Sequence, residues 1–412
     1  MATIGLTLIS ALLVLSGQHS IEAYTSSAAF RDTTAIALHN FGVDLFCKLA
    51  PNWDRNENVA ISPMSMYAVL SILLPGLQGS SYDQVYHALG MSHLDGDGID
   101  RESDMCGLVF QENANYELHR ANRIYSDLRV QIKKSYKQAA MTHHKSPVKK
   151  VDFVLAPRKS RKKMNRYVAK HTNDEITELI PQEAITQDTK IFLVNAIYLK
   201  VLWQTSFIRQ ATTKANFQIS PTRSKQVSTM YTSSARCFFQ PNYPSLQSDI
   251  VVLPFKGNAM SMIFIVPTSP GNFAPLESAT ASGDLRQMME VVWNTHYPEM
   301  ETCEVHLPKF KVHHTVDDLI GALQLMNVSD IFSPDDADLS LMTTEQLYVS
   351  DMRHQAVIKV DELGVKATGA TSIGISGRSY PTLVQINRPF MYMIRHEATG
   401  ALLFMGRIVN PK

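Results

Sequence analysis

The sequence contains none of the short motifs that usually mark an enzyme. It has no G-x-S-x-G, no H-E-x-x-H, no phosphate-binding P-loop motif and no C-x-x-C. Two adjacent histidine pairs, His143-His144 and His313-His314, would point to opposite faces of a strand and so suit no shared metal ion. These absences predict a protein that is not an enzyme and that uses no metal and no cofactor.

Cysteine is also scarce. The 412 residues include four cysteines, Cys47, Cys106, Cys237 and Cys303. Four cysteines in so long a chain do not make a disulfide framework, and they allow three complete pairings among which the sequence does not choose. Unpaired, buried thiols are an equally good interpretation.

Excess charge and long apolar runs are missing too. The formal net charge is +1, which indicates neither a nucleic acid nor a membrane surface as partner. Residues 1–23 carry an apolar run from Leu6 to Leu15 and a cleavage-like Ile21-Glu-Ala23, which predict a signal peptide although no Lys or Arg precedes the run. No later stretch is apolar for 18 residues. We therefore expect a secreted, extracellular protein with no membrane span.

Nothing divides the remaining residues, because linkers, internal repeats and low-complexity segments are all absent. With 45% hydrophobic residues, the chain has enough apolar side chains to fill a large core. We interpret residues 24–412 as a single domain and predict a monomer.

Local patterns predict both helices and strands. Residues 33–50 carry leucine and phenylalanine at helical spacing, and Ser62-Pro63 has the form of a helix cap followed by proline at the first position. The nine-residue run 191–199, IFLVNAIYL, suits a strand buried on both faces. Residues 250–266 read as two strands joined by a Lys-Gly-Asn turn, and 303–312 as one strand that contains Lys309.

The segment Val360 to Pro381 combines the composition of a loop with the pattern of a strand. It holds four glycines within residues 364–377, so it would not form a strand unaided. One alternate set of residues is small or apolar: Val365, Ala367, Gly369, Thr371, Ile373 and Ile375. Period-two alternation is what a half-buried strand needs. The alternative is an ordinary Gly/Ser-rich surface loop.

The flanks of this segment resemble the serpin family. Residues 354–364, HQAVIKVDELG, are similar to the family's strand and reactive-loop hinge, and 387–411, NRPF followed by MYMIRHEATGALLFMGRIVNP, to its C-terminal signature. Residues 58–90 match its second-helix pattern. The resemblance covers essentially all of the chain after residue 23. It implies an α/β fold of mixed α+β type, with three β-sheets, about nine helices and an exposed reactive-centre loop at about residues 362–386.

The same resemblance assigns roles within the loop. In serpins the bond offered to the protease follows the fourteenth residue after the hinge glycine, which places it between Arg378 and Ser379. Glu362 and Gly364 would form the hinge, and the small or apolar set named above would face inward on insertion. Two residues depart from the pattern: Leu363 and Lys366 stand where many inhibitors have glutamate. Neither belongs to the inward-facing set, so we expect insertion to be retained.

A second group of residues is expected where the central sheet parts. The resemblance places Asn195 beside His354 and beside Ser62 or Ser65, and it places Trp203 at the top of the same sheet. It also pairs Lys309 with Glu362, as an exposed ion pair of about 0–1 kcal/mol. From the residues alone, the favoured interpretation of Asn195 is a core asparagine whose amide is satisfied by backbone groups.

Two further features concern partners and modification. Between Arg129 and Lys170 there are fourteen Lys and Arg and one acid, Asp152. The cations proposed to bind a heparin-like polyanion are Lys149, Lys150, Arg158, Lys159, Arg161, Lys162 and Lys163. The alternative is a solvated helix face. Asn327-Val-Ser329 is the single glycosylation sequon.

Together these observations predict a secreted serine protease inhibitor that acts as a suicide substrate. A trypsin-like protease would attack after Arg378 and be trapped as an acyl-enzyme when the cleaved loop enters the central sheet. The sequence does not choose among clotting, complement, digestive and tryptase-like enzymes. The alternative is a non-inhibitory binding, carrier or storage protein of the same fold, for which charge or proline would be expected in the inward-facing set.

Overall fold

The chain contains both helices and strands in the computed structural model, which describes residues 33–94, 98–111, 115–269, 273–282, 285–286, 300–362 and 380–412. The α-helices in these ranges are α1 (33–49), α2 (Pro63–Ser71), α3 (Gly79–Ala88), α4 (Gly98–Val109), α5 (Lys134–His144), α6 (Pro157–His171), α7 (Phe273–Ser282) and α8 (Leu319–Gln324). The predicted mixed α and β class is confirmed. Eight of the expected nine or so helices lie within the described ranges.

Fourteen strands form the sheets. They are β1 (Val59–Ile61), β2 (Tyr116–Asp127), β3 (Lys149–Val151), β4 (Ile191–Val201), β5 (Thr213–Ser220), β6 (Arg223–Tyr243), β7 (Ser248–Pro254), β8 (Met260–Pro267), β9 (Glu301–Pro308), β10 (Phe310–Val316), β11 (Val349–Val360), β12 (Thr382–Gln385), β13 (Phe390–His396) and β14 (Leu402–Ile408). One sheet has five strands in the order β10-β11-β4-β2-β3. The other nine strands are connected through β6.

The long strand β6 explains how three predicted sheets become two connected sets of strands. Its first part pairs with β5 and β9, and its last residues pair with β7. Two sheets therefore share one strand of 21 residues. The five-stranded sheet is the third, and it contains the only parallel pair that joins two long strands within the described residues, β4 with β11.

Strand β4 is buried on both faces, as its apolar run predicts. Ile191, Leu193 and Ile197 belong to the main core, which also contains α1 and α2. Phe192 and Val194 point the other way into a second, smaller core. Because side chains alternate along a strand, Asn195 points towards the main core, on the side of α2.

The two faces of the five-stranded sheet are covered by different helices. On the main-core face lies α2, which begins as predicted: Ser62 is the N-cap, its hydroxyl accepts from the backbone N–H of Ser65, and Pro63 follows. On the opposite face α6 contributes Met164 and Val168 to the second core. Strands β4 and β11 are thus held between α2 and α6.

The predicted single strand at 303–312 is wrong. The chain forms β9 and β10, which belong to different sheets, and Lys309 lies between them. Pro308 ends β9 because it has no N–H to donate to a neighbouring strand, and the N–H of Lys309 donates to Ser228 in a 2.8 Å hydrogen bond. Lys309 therefore lies at a junction of two sheets rather than within one.

Other local predictions agree with the structure. β7 and β8 are joined at Lys256–Asn258, where Gly257 has a φ of 77° that favours glycine. Cys237 on β6 and Cys303 on β9 form a disulfide, whereas Cys47 and Cys106 are free and buried. In the part of the chain that the structure describes, no helix is long and apolar enough to cross a membrane.

Candidate functional site

The central feature of the site is a row of polar side chains on three adjacent strands. Asn122 on β2 lies opposite Asn195 on β4, and Asn195 lies opposite His354 on β11. Residues in register across a sheet point to the same face. All three therefore face the start of α2, where the N-cap turn presents Ser62 and Ser65.

Asn195 is the hub of the hydrogen bonds in this row. Its Nδ2 lies 2.6 Å from the carbonyl oxygen of Ser65, 2.8 Å from Ser65 Oγ and 3.0 Å from Asn122 Oδ1. Its Oδ1 contacts Nδ1 of His354. Both interpretations of Asn195 therefore hold in part, since its amide bonds to a backbone carbonyl and also to the expected serine and histidine.

The two ring nitrogens of His354 have different partners, which fix its tautomer. The backbone N–H of Ser62 donates to Nε2 at 3.1 Å, so Nε2 carries no proton. Nδ1 then carries the proton and donates to Asn195 Oδ1. Burial lowers the pKa of His354 to about 3, and nearby His314 acts in the same direction. His354 is therefore neutral at physiological pH.

Ser62 ties this row to the second sheet. Its hydroxyl donates to the carbonyl oxygen of Leu403 on β14 at 2.6 Å. The predicted group Ser62, Ser65, Asn195 and His354 is thus brought together, and the structure adds Asn122, which sequence reasoning missed. No local motif marks Asn122, and only the register of β2 against β4 places it in the row.

The end of β11 is held by a separate set of contacts. Glu362 Oε2 lies 2.7 Å from Lys309 Nζ, and Glu362 Oε1 accepts from Thr212 Oγ1 at 2.8 Å. Burial of Glu362 raises its pKa, but the hydrogen bonds from Lys309 and Thr212 outweigh it, so the pKa is lowered overall. The expectation of an exposed pair is wrong for the glutamate, because Glu362 is only 5% exposed while Lys309 is 37% exposed.

Trp203 anchors the residue just before Glu362. Its indole Nε1 donates to the carbonyl oxygen of Asp361 at 3.1 Å, and its ring packs against Phe207 and Phe255. Lys359 also pairs with Asp361, at 3.2 Å. Backbone and side chains therefore fix the chain where β11 ends and the predicted hinge begins.

Most of the predicted reactive-centre loop lies outside the described residues. This applies to Gly364, Val365, Ala367, Gly369, Thr371, Ile373, Ile375, Arg378 and Ser379. The segment is bounded by β11, which belongs to the five-stranded sheet, and by β12, which pairs in parallel with β9. Tyr380, the first described residue after it, is 97% exposed.

The predicted cationic residues lie on β3 and α6. Lys149, Arg158, Lys159, Lys162 and Lys163 are exposed. Two others have structural partners: Arg161 Nη1 lies 2.7 Å from Glu178 Oε1, and Lys150 Nζ donates to the carbonyl oxygen of Leu128 at 3.0 Å. The helix places Lys159, Lys162, Lys163, Arg166 and Lys170 on one face.

The predicted glycosylation site and one group of potential metal ligands also have defined positions. Asn327 is exposed just after α8, with a φ of 63° that asparagine tolerates better than most residues. Among the described residues, one group has the spacing of metal ligands, namely Cys237, Glu301 and Cys303. Its two cysteines are joined in a disulfide, so their sulfurs are not available as thiolate ligands.

The boundary between β4 and β11 joins the polar row to the strand that leads into the predicted loop. These strands pair directly in parallel from Val349 opposite Ile191 to Lys359 opposite Lys200. The contact between Asn195 and His354 crosses this boundary. Parting the two strands would break that contact and leave a space for a new strand.

Comparisons with known proteins agree with this geometry. The family model described as Serpin (serine protease inhibitor) matches residues 36–411. The chain is 30% identical to human Serpin B11, over 90% of this chain and 97% of that protein, and 29% identical to mouse Antithrombin-III, over 90% of this chain and 80% of that protein. The crystal structure of uncleaved ovalbumin has a TM-score of 0.82 and 26% identity, and covers 92% of this chain and 100% of that chain.

The matched region contains most of α1 and every described element from β1 to β14. It includes the row of Asn122, Asn195 and His354, and the contacts that hold Glu362. Fold, site and comparisons therefore lead to one conclusion: the chain belongs to the serpin family of serine protease inhibitors.

Proposed function

We propose that the protein is a secreted suicide inhibitor of trypsin-like serine proteases, with the bond between Arg378 and Ser379 as the bait. The observation that carries the proposal is the closed parallel pair of β4 and β11. The strand that leads into the reactive loop is itself one side of the boundary that would open. A loop that folded back beside β11 would become a sixth strand in the middle of a five-stranded sheet.

In this mechanism the serine of the protease attacks the carbonyl carbon of Arg378. The peptide bond breaks, the new amine of Ser379 leaves with a proton, and an ester joins Arg378 to the protease. Water would normally hydrolyse that ester. Insertion of the loop first moves the attached protease and distorts its active site, so hydrolysis stops. In this mechanism the protein contributes the loop that inserts and the sheet that accepts it, rather than catalytic groups.

Arginine before the bond supports a trypsin-like target. Its guanidinium can form two parallel hydrogen bonds with a carboxylate at the base of an acidic specificity pocket. The inward-facing set also supports inhibition, since Val365, Ile373 and Ile375 are apolar and the set contains no charge and no proline. A carrier or storage function has no comparable support in the described contacts.

Secretion is supported by the N-terminal apolar segment and by the disulfide between Cys237 and Cys303. Disulfides persist in oxidising extracellular surroundings and are rare in the cytosol.

The exposed Asn327 is accessible to glycosylation in a secretory pathway. A glycosidase-sensitive change in mass of the secreted protein, lost in Asn327→Gln, would test this modification.

The function is tested by mixing the protein with trypsin, thrombin, a complement protease and tryptase. We expect an SDS-stable complex with at least one of them. We also expect a released C-terminal peptide whose mass matches the sequence that begins at Ser379. Cleavage with no stable complex for any protease would instead favour the non-inhibitory alternative. A peptide that begins elsewhere would reject the assigned bond.

Replacement of Arg378 tests the specificity directly. Arg378→Ala should reduce the rate of inhibition of trypsin-like enzymes by at least about a hundredfold, because the paired guanidinium is lost from the pocket. Its melting temperature should remain unchanged. Arg209→Ala, which removes an exposed arginine elsewhere, serves as the control and should inhibit normally. Equal inhibition by the two variants would contradict the proposal.

A further inference from the structure

A groove separate from the loop lies where α4, α5, β2 and α6 meet. Its volume is about 870 Å³, within the range of roughly 300–1,000 Å³ that is typical of sites for one small molecule. Ala68 of α2 and Ile72 directly after it form part of the apolar lining, together with Phe110 and Tyr167. The groove can therefore hold a compact ligand with an apolar body.

Cationic groups line the same groove. Arg120 on β2 places its guanidinium 3.9 Å from the centre of the Phe110 ring, and within the described ranges it makes no ion pair with a carboxylate. Lys145, at the end of α5, is exposed and has the left-handed backbone conformation. The single carboxylate in the lining, Asp104, is exposed. An anion in the groove would thus meet two cations, neither of which forms an ion pair with a carboxylate among the described residues.

His144 gives the groove a third polar group. Its side chain is 3% exposed, and its Nδ1 lies 3.2 Å from Glu102 Oε2, which is fully buried. Its Nε2 is also buried and has no hydrogen-bond partner among the described residues. The Nδ1 side of the ring faces Glu102, so Nε2 is the ring atom left to contact a ligand. Buried polar atoms usually have partners, so Nε2 is an available polar contact for a ligand in the groove.

The polar groups next to His144 already have partners within the protein. His143 Nδ1 pairs with Asp100 at 2.8 Å, and the thiol of Cys106 donates to Glu102 Oε1 at 2.8 Å. The prediction that His143 and His144 point to opposite faces of a strand is wrong, because both lie in the last turn of α5. The helix lets His144 point inward to Glu102 while His143 reaches Asp100.

We infer that this groove binds a small amphipathic organic anion, a carboxylate or sulfonate that carries an aromatic or aliphatic body. Arg120 and Lys145 bind the acidic group, with Nε2 of His144 as an additional polar contact, and Phe110 and Tyr167 contact the apolar body. This groove would select a different ligand from the cationic face of α6. A heparin-like sulfated polysaccharide could bind the exposed lysines of α6, but it has no apolar body to fill the groove. It also adjoins Asn122, which lines the groove and bonds to Asn195.

The test uses two fluorescent probes with the same aromatic body. 8-Anilinonaphthalene-1-sulfonate carries the acidic group, and N-phenyl-1-naphthylamine lacks it. With the folded full-length protein we expect one saturable sulfonate site, at least about tenfold tighter than any binding of the neutral probe, since a bond to a charged group is worth at least about one factor of ten. Equal affinities for the two probes would overturn the inference.

Variants locate the site. Arg120→Gln should weaken sulfonate binding at least about tenfold and leave the neutral probe unaffected, whereas Phe110→Ala should weaken both. Lys137→Gln is the matched control, since it removes a charge from α5 outside the groove. Lys145→Gln, at an exposed position, covers the case in which Arg120→Gln fails to fold, and it should weaken sulfonate binding by roughly threefold or more. Unchanged sulfonate binding in Lys145→Gln and in folded Arg120→Gln would place the probe elsewhere and reject the site.

Discussion

At the scale of single residues, His354 and Asn195 depend on each other for hydrogen bonding. Both are fully buried, so neither can turn to water if the other is removed. Loss of one partner leaves a buried polar group unpaired, at a cost of about 1–3 kcal/mol in the free energy of unfolding. Separation of β4 from β11 would break the same contact, so this cost would also contribute to the barrier to that separation.

The protonation of His354 gives a pH prediction. Its folded pKa of about 3 lies below the ordinary value of 6.5, so the unfolded chain takes up a proton first as the pH falls. The stabilising contribution is complete above pH 6.5 and is lost progressively towards pH 3. Denaturant unfolding of the wild type should therefore show a free energy that falls over this range.

His354→Gln removes that titration. The variant should be less stable than the wild type at pH 7.5 by about 1–3 kcal/mol, but its stability should fall less steeply below pH 6.5. The remaining slope includes His39 and His396, whose pKa values burial lowers to about 3 and about 4. His87→Gln, an exposed change on α3, is the control. Parallel pH curves for wild type and His354→Gln would contradict the assignment of neutral His354.

At the scale of elements, the end of β11 determines where insertion would begin. Trp203, Lys309 and Thr212 hold Asp361 and Glu362 in place. Insertion would therefore proceed from the residues directly after Glu362. A substitution near this point that hinders insertion should therefore stop the loop before the attached protease has been moved far.

Val365→Arg places such a defect at the start of the inward-facing set. A buried, unpaired guanidinium should slow insertion enough for the acyl-enzyme to be hydrolysed. The variant should be cleaved after Arg378 as a substrate, and at least about ten moles should be consumed for each mole of trapped protease. Thr368→Arg adds the same charge to the outward-facing set and should trap protease at nearly the wild-type ratio. Normal trapping by Val365→Arg, measured by titration and gel electrophoresis, would disprove early insertion of Val365.

The cationic face of α6 leads to a second prediction at this scale. Exposed Lys162 and Lys163 belong to a row along one side of the helix, whereas Arg161 is engaged by Glu178. We expect retention on immobilised heparin above physiological salt, because release of counterions makes such binding salt-dependent. Reversal of both lysines to glutamate should lower the eluting salt concentration.

The matched control reverses Lys134 and Lys137 on α5, which are exposed and lie in the same cation-rich segment. It changes net charge by the same amount but leaves α6 intact. Similar elution of the two double variants would indicate a general charge effect. Elution of the wild type at physiological salt would favour the alternative of a solvated helix face.

At the scale of the whole molecule, an inserted loop would span most of the protein. Fourteen extended residues reach roughly 46 Å, compared with a diameter of roughly 55 Å for a compact chain of this size. A protease attached at Arg378 would thus be carried from one end of the molecule towards the other. The five-stranded sheet, now closed between β4 and β11, would gain a central strand.

Cleavage alone should therefore stabilise the molecule. Insertion adds a ladder of backbone hydrogen bonds and buries Val365, Ile373 and Ile375, so the melting temperature should rise by roughly 10 °C or more. The measurement compares intact protein with protein cleaved after Arg378 by a trace of protease, with cleaved Val365→Arg as the control for failed insertion. A cleaved wild type that melts no higher than the intact protein would disprove the mechanism.

Several features were predictable from the sequence because they depend on local patterns. The apolar run of β4, the Ser62-Pro63 start of α2 and the glycine turn between β7 and β8 are each determined by neighbours along the chain. The family signatures near His354 and Asn387 lie in short contiguous segments and could be recognised directly. The alternation of small or apolar with polar residues after Gly364 is likewise visible in the sequence alone.

Other features were decided by tertiary structure. Asn122 joins Asn195 through strand register, and Cys237 meets Cys303 because β6 pairs with β9. Glu362 is buried because β11 ends against Trp203 and Thr212. Each of these depends on residues far apart in the chain, whose contacts arise only after the strands have paired, and no local pattern encodes that pairing.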